Sequence, residues 1–109
     1  MKQINAYIVR HKLEAVIRAL HKVHGLTGLS VFEGQGHGLS WAEEAVCSQL
    51  DFQPTTKLEV ICRAELAEAV VAAIEKAART GLRNDGKIYV CAVDQAVRIS
   101  TGQRGESAV

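Results

Sequence analysis

The chain has 109 residues with a net charge of +1 and 48% apolar residues, which is enough for one globular domain but not for two. The near-neutral charge argues against a general nucleic-acid binder or an anionic-membrane binder, because both require a basic field. The longest apolar runs, Ala69–Ile74 and Ile88–Val93, are too short to span a bilayer, and the N-terminus carries no signal-peptide pattern. Three scattered cysteines without a C-x-x-C pair favour a reducing, cytoplasmic setting.

In chain order, the predicted elements are strand, helix, strand, strand, helix and strand. Alternating apolar residues predict strands at 3–9, 27–34, 55–63 and 87–93, and apolar residues at helical spacing predict helices at 13–24 and 65–79. A long loop begins at the glycines that follow the second strand and ends near Pro54. A turn covers 80–86, a short extra strand is predicted at 96–100, and a polar tail begins at Thr101.

This βαββαβ order is typical of ferredoxin-like α+β domains. It predicts a four-stranded antiparallel sheet with both helices on one face, because right-handed crossovers place them there. Several strands carry apolar residues on both faces, so the second face is predicted to be buried against partner subunits. Cys62 and Cys91 lie within strands and are expected in the core as small apolar residues.

Local motifs favour binding over catalysis. The segment 81–87 has the spacing G-x-x-x-x-G-K, but Ile88 stands where a P-loop needs Ser or Thr, so a Walker A site is excluded. Its glycines, backbone N–H groups and Lys87 are still suited to phosphate, with a plain turn as the alternative. No nucleophile is paired with a base, so no enzyme is predicted, and a degenerate ferredoxin-like hydrolase is the catalytic alternative.

The sequence resembles the PII signalling superfamily, the trimeric regulators of nitrogen and related metabolism, over nearly its whole length. The motifs that carry the resemblance are Gly25-Leu26-Thr27-Gly28, Gly36-His37-Gly38, Asp51-Phe52-x-Pro54, Thr80-Gly81 with Asp85-Gly86-Lys87-Ile88, and Val97-Arg98-Ile99 with Thr101-Gly102. The resemblance implies one domain over 1–109, with a T-loop at about 37–54, a B-loop at about 80–87 and a C-terminal tail at about 101–109.

The resemblance also implies a cytoplasmic, non-enzymatic homotrimer that binds ATP, ADP or AMP in clefts between subunits. Its T-loop would control a membrane transporter or a metabolic enzyme, without nucleic acid and without insertion into the membrane. The nucleotide-binding residues that it implies are Ser30, Gly36, Gly38, Lys57, Asp85, Gly86, Lys87 and Arg98. The residues that it implies for partner contact are Leu39, Trp41, Glu43 and Glu44.

Several positions depart from the family pattern. Ser100 replaces the second arginine of an R-x-R motif, and Asn84 replaces a glycine of the B-loop. The family's arginine and glutamine after the loop-base glycines are Leu39 and Ser40 here, and Thr55 replaces the lysine that meets 2-oxoglutarate. The T-loop is about four residues shorter and lacks the tyrosine that is modified in the family, because both tyrosines of this chain lie in strands.

These departures predict weak binding of an adenine nucleotide, with ADP or AMP preferred over ATP, and no 2-oxoglutarate site. An alternative is a metal- or small-anion-sensing relative that has lost nucleotide binding and works with an efflux pump or transporter. The candidate metal ligands for it are His37 and Cys47, with Glu43 and Glu44 nearby.

Overall fold

The computed structural model describes residues 1–37, 53–83 and 85–109. The elements are β1 (Lys2–Ile8), α1 (Leu13–His21), β2 (Ser30–Gly36), β3 (Gln53–Cys62), α2 (Ala67–Ala78) and β4 (Gly86–Ala92). One turn of 3-10 helix precedes each α-helix, and another covers Gly105–Ala108 near the end of the chain. None of the helices in the described ranges is long and apolar enough to cross a membrane.

The four strands form one sheet in the order β2-β3-β1-β4, and each neighbouring pair is antiparallel. The central strand β1 therefore joins two strands that are distant in the sequence. One helix connects β1 to β2 and the other connects β3 to β4, so the arrangement is the ferredoxin-like α+β fold that the element order predicts.

The core lies between the sheet and both helices. Every second residue of β1 from Ile4 to Ile8 is buried, and the same alternation holds along β3 through Leu58 and Val60. These side chains form one cluster with Val16 and Leu20 of α1 and with Val70 and Ile74 of α2. Both helices therefore cover the same face of the sheet, as predicted.

All six elements differ from the sequence prediction by one to three residues at one end or both, and α1, α2 and β2 show the causes. Helix α1 ends at His21, and the chain then turns at Gly25, whose φ of +90° is incompatible with a continuing helix. Helix α2 begins three residues after its 3-10 turn starts at Ala64. Strand β2 lies further along the chain than predicted, because its pairing with β3 runs from Ser30 to Gly36. Pairing with the neighbouring strand, and not alternation alone, decides where β2 begins.

The prediction of an extra strand at 96–100 is wrong. The segment makes one isolated bridge, between Val97 and Arg104, and the Gly102 N–H donates to the Arg98 carbonyl at 2.8 Å. The chain thus folds back on itself in a tight turn and pairs with its own tail instead of with the sheet.

The face of the sheet opposite the helices, here called the open face, carries apolar side chains. Phe32 and Tyr89 are about half exposed there, at 51% and 50%, and Tyr7 and Ile61 are also exposed. Cys91 is exposed on the same face, since side chains alternate along β4, and the prediction that it lies in the core is wrong. Cys62 is buried as predicted, and burial raises the pKa of its thiol.

Candidate functional site

The B-loop is folded around the carboxylate of Asp85. That carboxylate accepts hydrogen bonds from the backbone N–H of Thr80 at 2.8 Å and of Gly81 at 3.1 Å, and also from the Thr80 hydroxyl. The Leu82 N–H donates in turn to the Thr80 hydroxyl oxygen at 3.1 Å. Asp85 thus has a structural task within the loop, which the sequence prediction of a nucleotide contact did not include.

The hydrogen bonds to Asp85 lower the pKa of its carboxyl, with the Thr80 hydroxyl as the largest cause and the Arg79 charge as a smaller one. Because the folded-state pKa lies below the unfolded one, the contribution to stability is present above the ordinary aspartate pKa of about 3.9 and is lost as pH falls through the folded value.

We therefore expect the free energy of unfolding of the wild type to exceed that of Asp85→Asn at neutral pH. The difference should shrink as pH falls below about 4, where Asp85 becomes protonated. Urea unfolding of both proteins across that range measures it. A difference that does not change with pH would contradict the role assigned to the ionised carboxylate.

Gly86 lies where the B-loop joins β4, directly opposite Ile8 of β1. Its φ is +105°, and a Cβ built on it would overlap the carbonyl oxygen of Tyr7 and lie 2.8 Å from the carbonyl carbon. The position requires glycine for steric reasons that are independent of any ligand.

Two lysines share one row across the open face but have different surroundings. Tyr7 of β1 is paired with Lys57 of β3 on one side and with Lys87 of β4 on the other. The Lys57 Nζ lies 3.6 Å from a Glu59 carboxylate oxygen, and 5.9 Å and 5.8 Å from the ring centroids of Tyr7 and Phe32. Lys87 is exposed, and among the described residues it has no ion pair or side-chain hydrogen bond. Lys87 is therefore the more available cation.

The base of the T-loop lies at the same end of the sheet as the B-loop, although β2 and β4 are opposite edge strands. Gly36, the last residue of β2, is paired with Gln53, the first residue of β3. Ile8 of β1 is paired both with Thr56 and with Gly86 at this end. The strand pairing therefore brings Gly36, Lys87 and the rest of the B-loop to one end of the sheet.

Part of the predicted site lies outside the described residues: Gly38, Leu39, Trp41, Glu43, Glu44 and Cys47. His37 is described and exposed. Within the ranges 1–37, 53–83 and 85–109, no three His, Cys, Asp or Glu side chains are grouped as metal ligands.

The two remaining predicted residues, Ser30 and Arg98, lie towards the other end of the sheet. Ser30 begins β2, and Arg98 lies in the turn that follows the far end of β4, where its Nη2 donates to the Val109 carbonyl oxygen at 3.5 Å. A groove of about 550 Å³ is found here, lined among others by Thr27, Gly28, Ser30, Glu59, Val97 and Val109.

The predicted phosphate-binding cations are therefore divided between two places in one chain. Lys87 lies at the beginning of β4, and Arg98 follows its other end, with the strand itself about 20 Å long. No B-loop residue in the described ranges lines the groove beside Arg98. Within one chain, Gly36 and Lys87 lie at the same end of the sheet, on its two edge strands, and Arg98 lies towards the other end.

Sequence reasoning missed two B-loop residues. The first is Thr80, whose hydroxyl is hydrogen-bonded to Asp85 and to the Leu82 N–H. The sequence pattern that could have identified it is a threonine five residues before an aspartate in a glycine-containing turn. Arg83 is exposed, and its guanidinium has no hydrogen bond or ion pair with the part of the chain that is described. The sequence pattern that could have identified Arg83 is a second basic residue in the same loop as Lys87.

Comparison with known proteins agrees with this fold. A family model described as "Nitrogen regulatory protein P-II" matches residues 1–103. Proteins named "Nitrogen regulatory protein P-II" from Rhodospirillum rubrum and Azospirillum brasilense are each 40% identical to this chain, and the one from Rhizobium meliloti is 42% identical. Each alignment covers 100% of both chains.

These alignments extend over 113 positions, four more than this chain has residues, so each contains gaps opposite the relative. The match of the family model over nearly all of the chain, the identity over full length and the ferredoxin-like sheet lead to one conclusion. The chain belongs to the nitrogen regulatory protein P-II family.

Proposed function

We propose that this P-II family regulator binds an adenine nucleotide between copies of the chain and controls a partner protein through its T-loop. The observation that carries the proposal is the separation of Lys87 and Arg98. Each is a cation suited to phosphate, yet they lie towards opposite ends of the sheet of one chain. A second copy that brings its Arg98 end to the B-loop of the first would complete the site.

The open face supports assembly into a homotrimer. Half-exposed aromatic rings such as Phe32 and Tyr89, together with the exposed Ile61, leave apolar surface on this face that is costly to keep in water. A cyclic trimer would cover these faces and would place the beginning of β4 in one copy next to the groove of the next copy. Three equivalent sites would result.

Nucleotide preference follows from the cations that the chain retains. Lys87 and Arg98 are present, whereas Ser100 stands where the family has a second arginine. The loss of one positive charge weakens contacts to the outermost phosphates first. The proposed ligand is therefore ADP or AMP in preference to ATP.

Calorimetric titration of the purified protein with ATP, ADP, AMP and cyclic AMP tests this proposal. We expect heat of binding with ADP or AMP and a weaker response to ATP. The proposal fails if none of the four nucleotides binds. A second titration with 2-oxoglutarate, with and without Mg-ATP, should show no binding, because Thr55 has no charge to meet a carboxylate, and a measurable affinity would refute that part.

The regulated partner is proposed to be a membrane transporter or a metabolic enzyme, and the protein is proposed to act in the cytoplasm without catalysis of its own. Family membership supports the role of a regulator. Gly36 and Gln53 support a loop that leaves and re-enters the sheet at the same end as the B-loop, so a ligand held by Lys87 would lie at the end of the sheet where the T-loop begins. Nucleotide occupancy would in this way change the surface that is offered to the partner.

A further inference from the structure

Thr80 and Asp85 of the B-loop are held together by hydrogen bonds in which the Thr80 hydroxyl is central. This hydroxyl donates to one oxygen of the Asp85 carboxylate and accepts a hydrogen bond from the Leu82 N–H at 3.1 Å. The second carboxylate oxygen receives the N–H groups of Thr80 and Gly81 at 2.8 Å and 3.1 Å. We call this set of four hydrogen bonds, from Thr80 through Asp85, the Thr80 clasp.

The clasp determines which groups of the loop are free to meet an anion. The N–H groups of Thr80, Gly81 and Leu82 all point inward to side chains of the loop itself, so none of them is available to phosphate. The Asp85 carboxylate is an acceptor only and would repel phosphate if it were turned outward. In the clasp, the carboxylate instead accepts hydrogen bonds from three donors, the N–H groups of Thr80 and Gly81 and the Thr80 hydroxyl.

Two cations remain on the outside of the loop. Arg83 and Lys87 are both exposed, and neither has an ion pair within the described part of the chain. Arg83 lies inside the segment that the clasp closes, and Lys87 lies two residues after Asp85. A loop closed at Thr80 and Asp85 therefore limits the positions that both cations can take.

We propose that Thr80 is a positioning residue for phosphate recognition, which through the clasp holds Arg83 and Lys87 in place for the phosphate groups of a nucleotide. The inference rests on the proposed function and assigns to Thr80 no contact with the ligand. It also makes Asp85 a hydrogen-bond partner of Thr80 and not a residue that contacts the nucleotide.

The test compares Thr80→Val with Thr80→Ser. Valine has nearly the shape of threonine but cannot donate or accept, whereas serine keeps the hydroxyl. We expect Thr80→Val to bind ADP about tenfold more weakly, because it loses two hydrogen bonds that order the loop, and Thr80→Ser to bind within about twofold of the wild type. Binding of adenosine, which has no phosphate, should be unchanged in both variants.

Three results would overturn the inference. They are equal ADP affinity in Thr80→Val and wild type, an equal loss for adenosine and ADP, and a Thr80→Ser protein as weak as Thr80→Val. If Thr80→Val does not fold, Asp85→Asn replaces it, because the amide keeps the size of the carboxylate but not its charge, and the same loss for ADP alone is expected. Absence of ADP binding by the wild type would refute the proposed function itself, whereas ADP binding that is unaffected by loss of the clasp refutes this inference alone.

Discussion

Replacing Gly86 with alanine is expected to lower the free energy of unfolding by about 3–5 kcal/mol, a large part of the 5–15 kcal/mol of a typical domain. Two costs add at this position. The φ of +105° is unfavourable for any residue with a Cβ, and the added methyl would overlap the backbone of Tyr7 in the central strand. Neither β1 nor β4 can move away without breaking their shared ladder.

Gly81→Ala is the matched control for this prediction. Gly81 has a comparable φ of +85°, but a Cβ there would meet no atom within 4 Å. We expect this variant to lose only the conformational part, about 1–2 kcal/mol. Urea unfolding followed by circular dichroism measures both, and equal losses would show that contact with Tyr7 is not what makes Gly86 necessary.

Loss of either proposed phosphate-binding cation should have the largest effect on ligand affinity. Lys87→Met keeps the apolar stem but removes the charge, and should weaken ADP binding by about tenfold to hundredfold, as expected for a hydrogen bond to a charged group. Arg98→Ala should cause a loss of the same order. Calorimetry with ADP measures both.

Lys57→Met is the control for Lys87→Met, because it removes a positive charge from the same row of residues across the sheet. Lys57 already pairs with Glu59 at 3.6 Å and lies near two aromatic rings, so it has less to offer a ligand. We expect a smaller loss of ADP affinity than in Lys87→Met. A larger loss for Lys57→Met would mean that the phosphate group meets the middle of the open face and not the B-loop.

The order of elements and most of the core could be predicted from the sequence, because the alternation of Leu58, Val60 and Cys62 and the apolar stripe of α2 each reflect burial on one side. Which segments pair, and which face of the sheet the helices cover, could not be predicted in the same way. Cys91 has apolar neighbours in the sequence, yet only the position of the helices shows that its face is uncovered. The alternating segment 96–100 likewise makes its one bridge with Arg104 of the tail and not with a strand of the sheet.

The candidate site was predicted by its residues but not by its organisation. The resemblance to the PII family implied Asp85, Gly86 and Lys87 together as nucleotide-binding residues, whereas the structure gives each a different task. Asp85 is held by the Thr80 clasp, Gly86 makes room for the Tyr7 carbonyl, and Lys87 is a cation with no ion pair among the residues that the structure describes. Such differences depend on side-chain hydrogen bonds and on backbone approach between distant strands, and spacing along one segment does not encode them.

The central claim is that one nucleotide site takes Lys87 from one copy and Arg98 from another. Mixing two defective variants tests it most directly. Lys87→Met and Arg98→Ala proteins are unfolded together in equal amounts and refolded, and ADP binding of the mixture is compared with that of each variant treated alone.

If the site forms between copies, about a quarter of the sites in randomly mixed cyclic assemblies carry both residues intact. The mixture should therefore regain ADP binding of wild-type affinity at about that fraction of sites, although neither variant binds well alone. A mixture of refolded, exchanged copies that binds no better than the two variants measured separately would contradict the account.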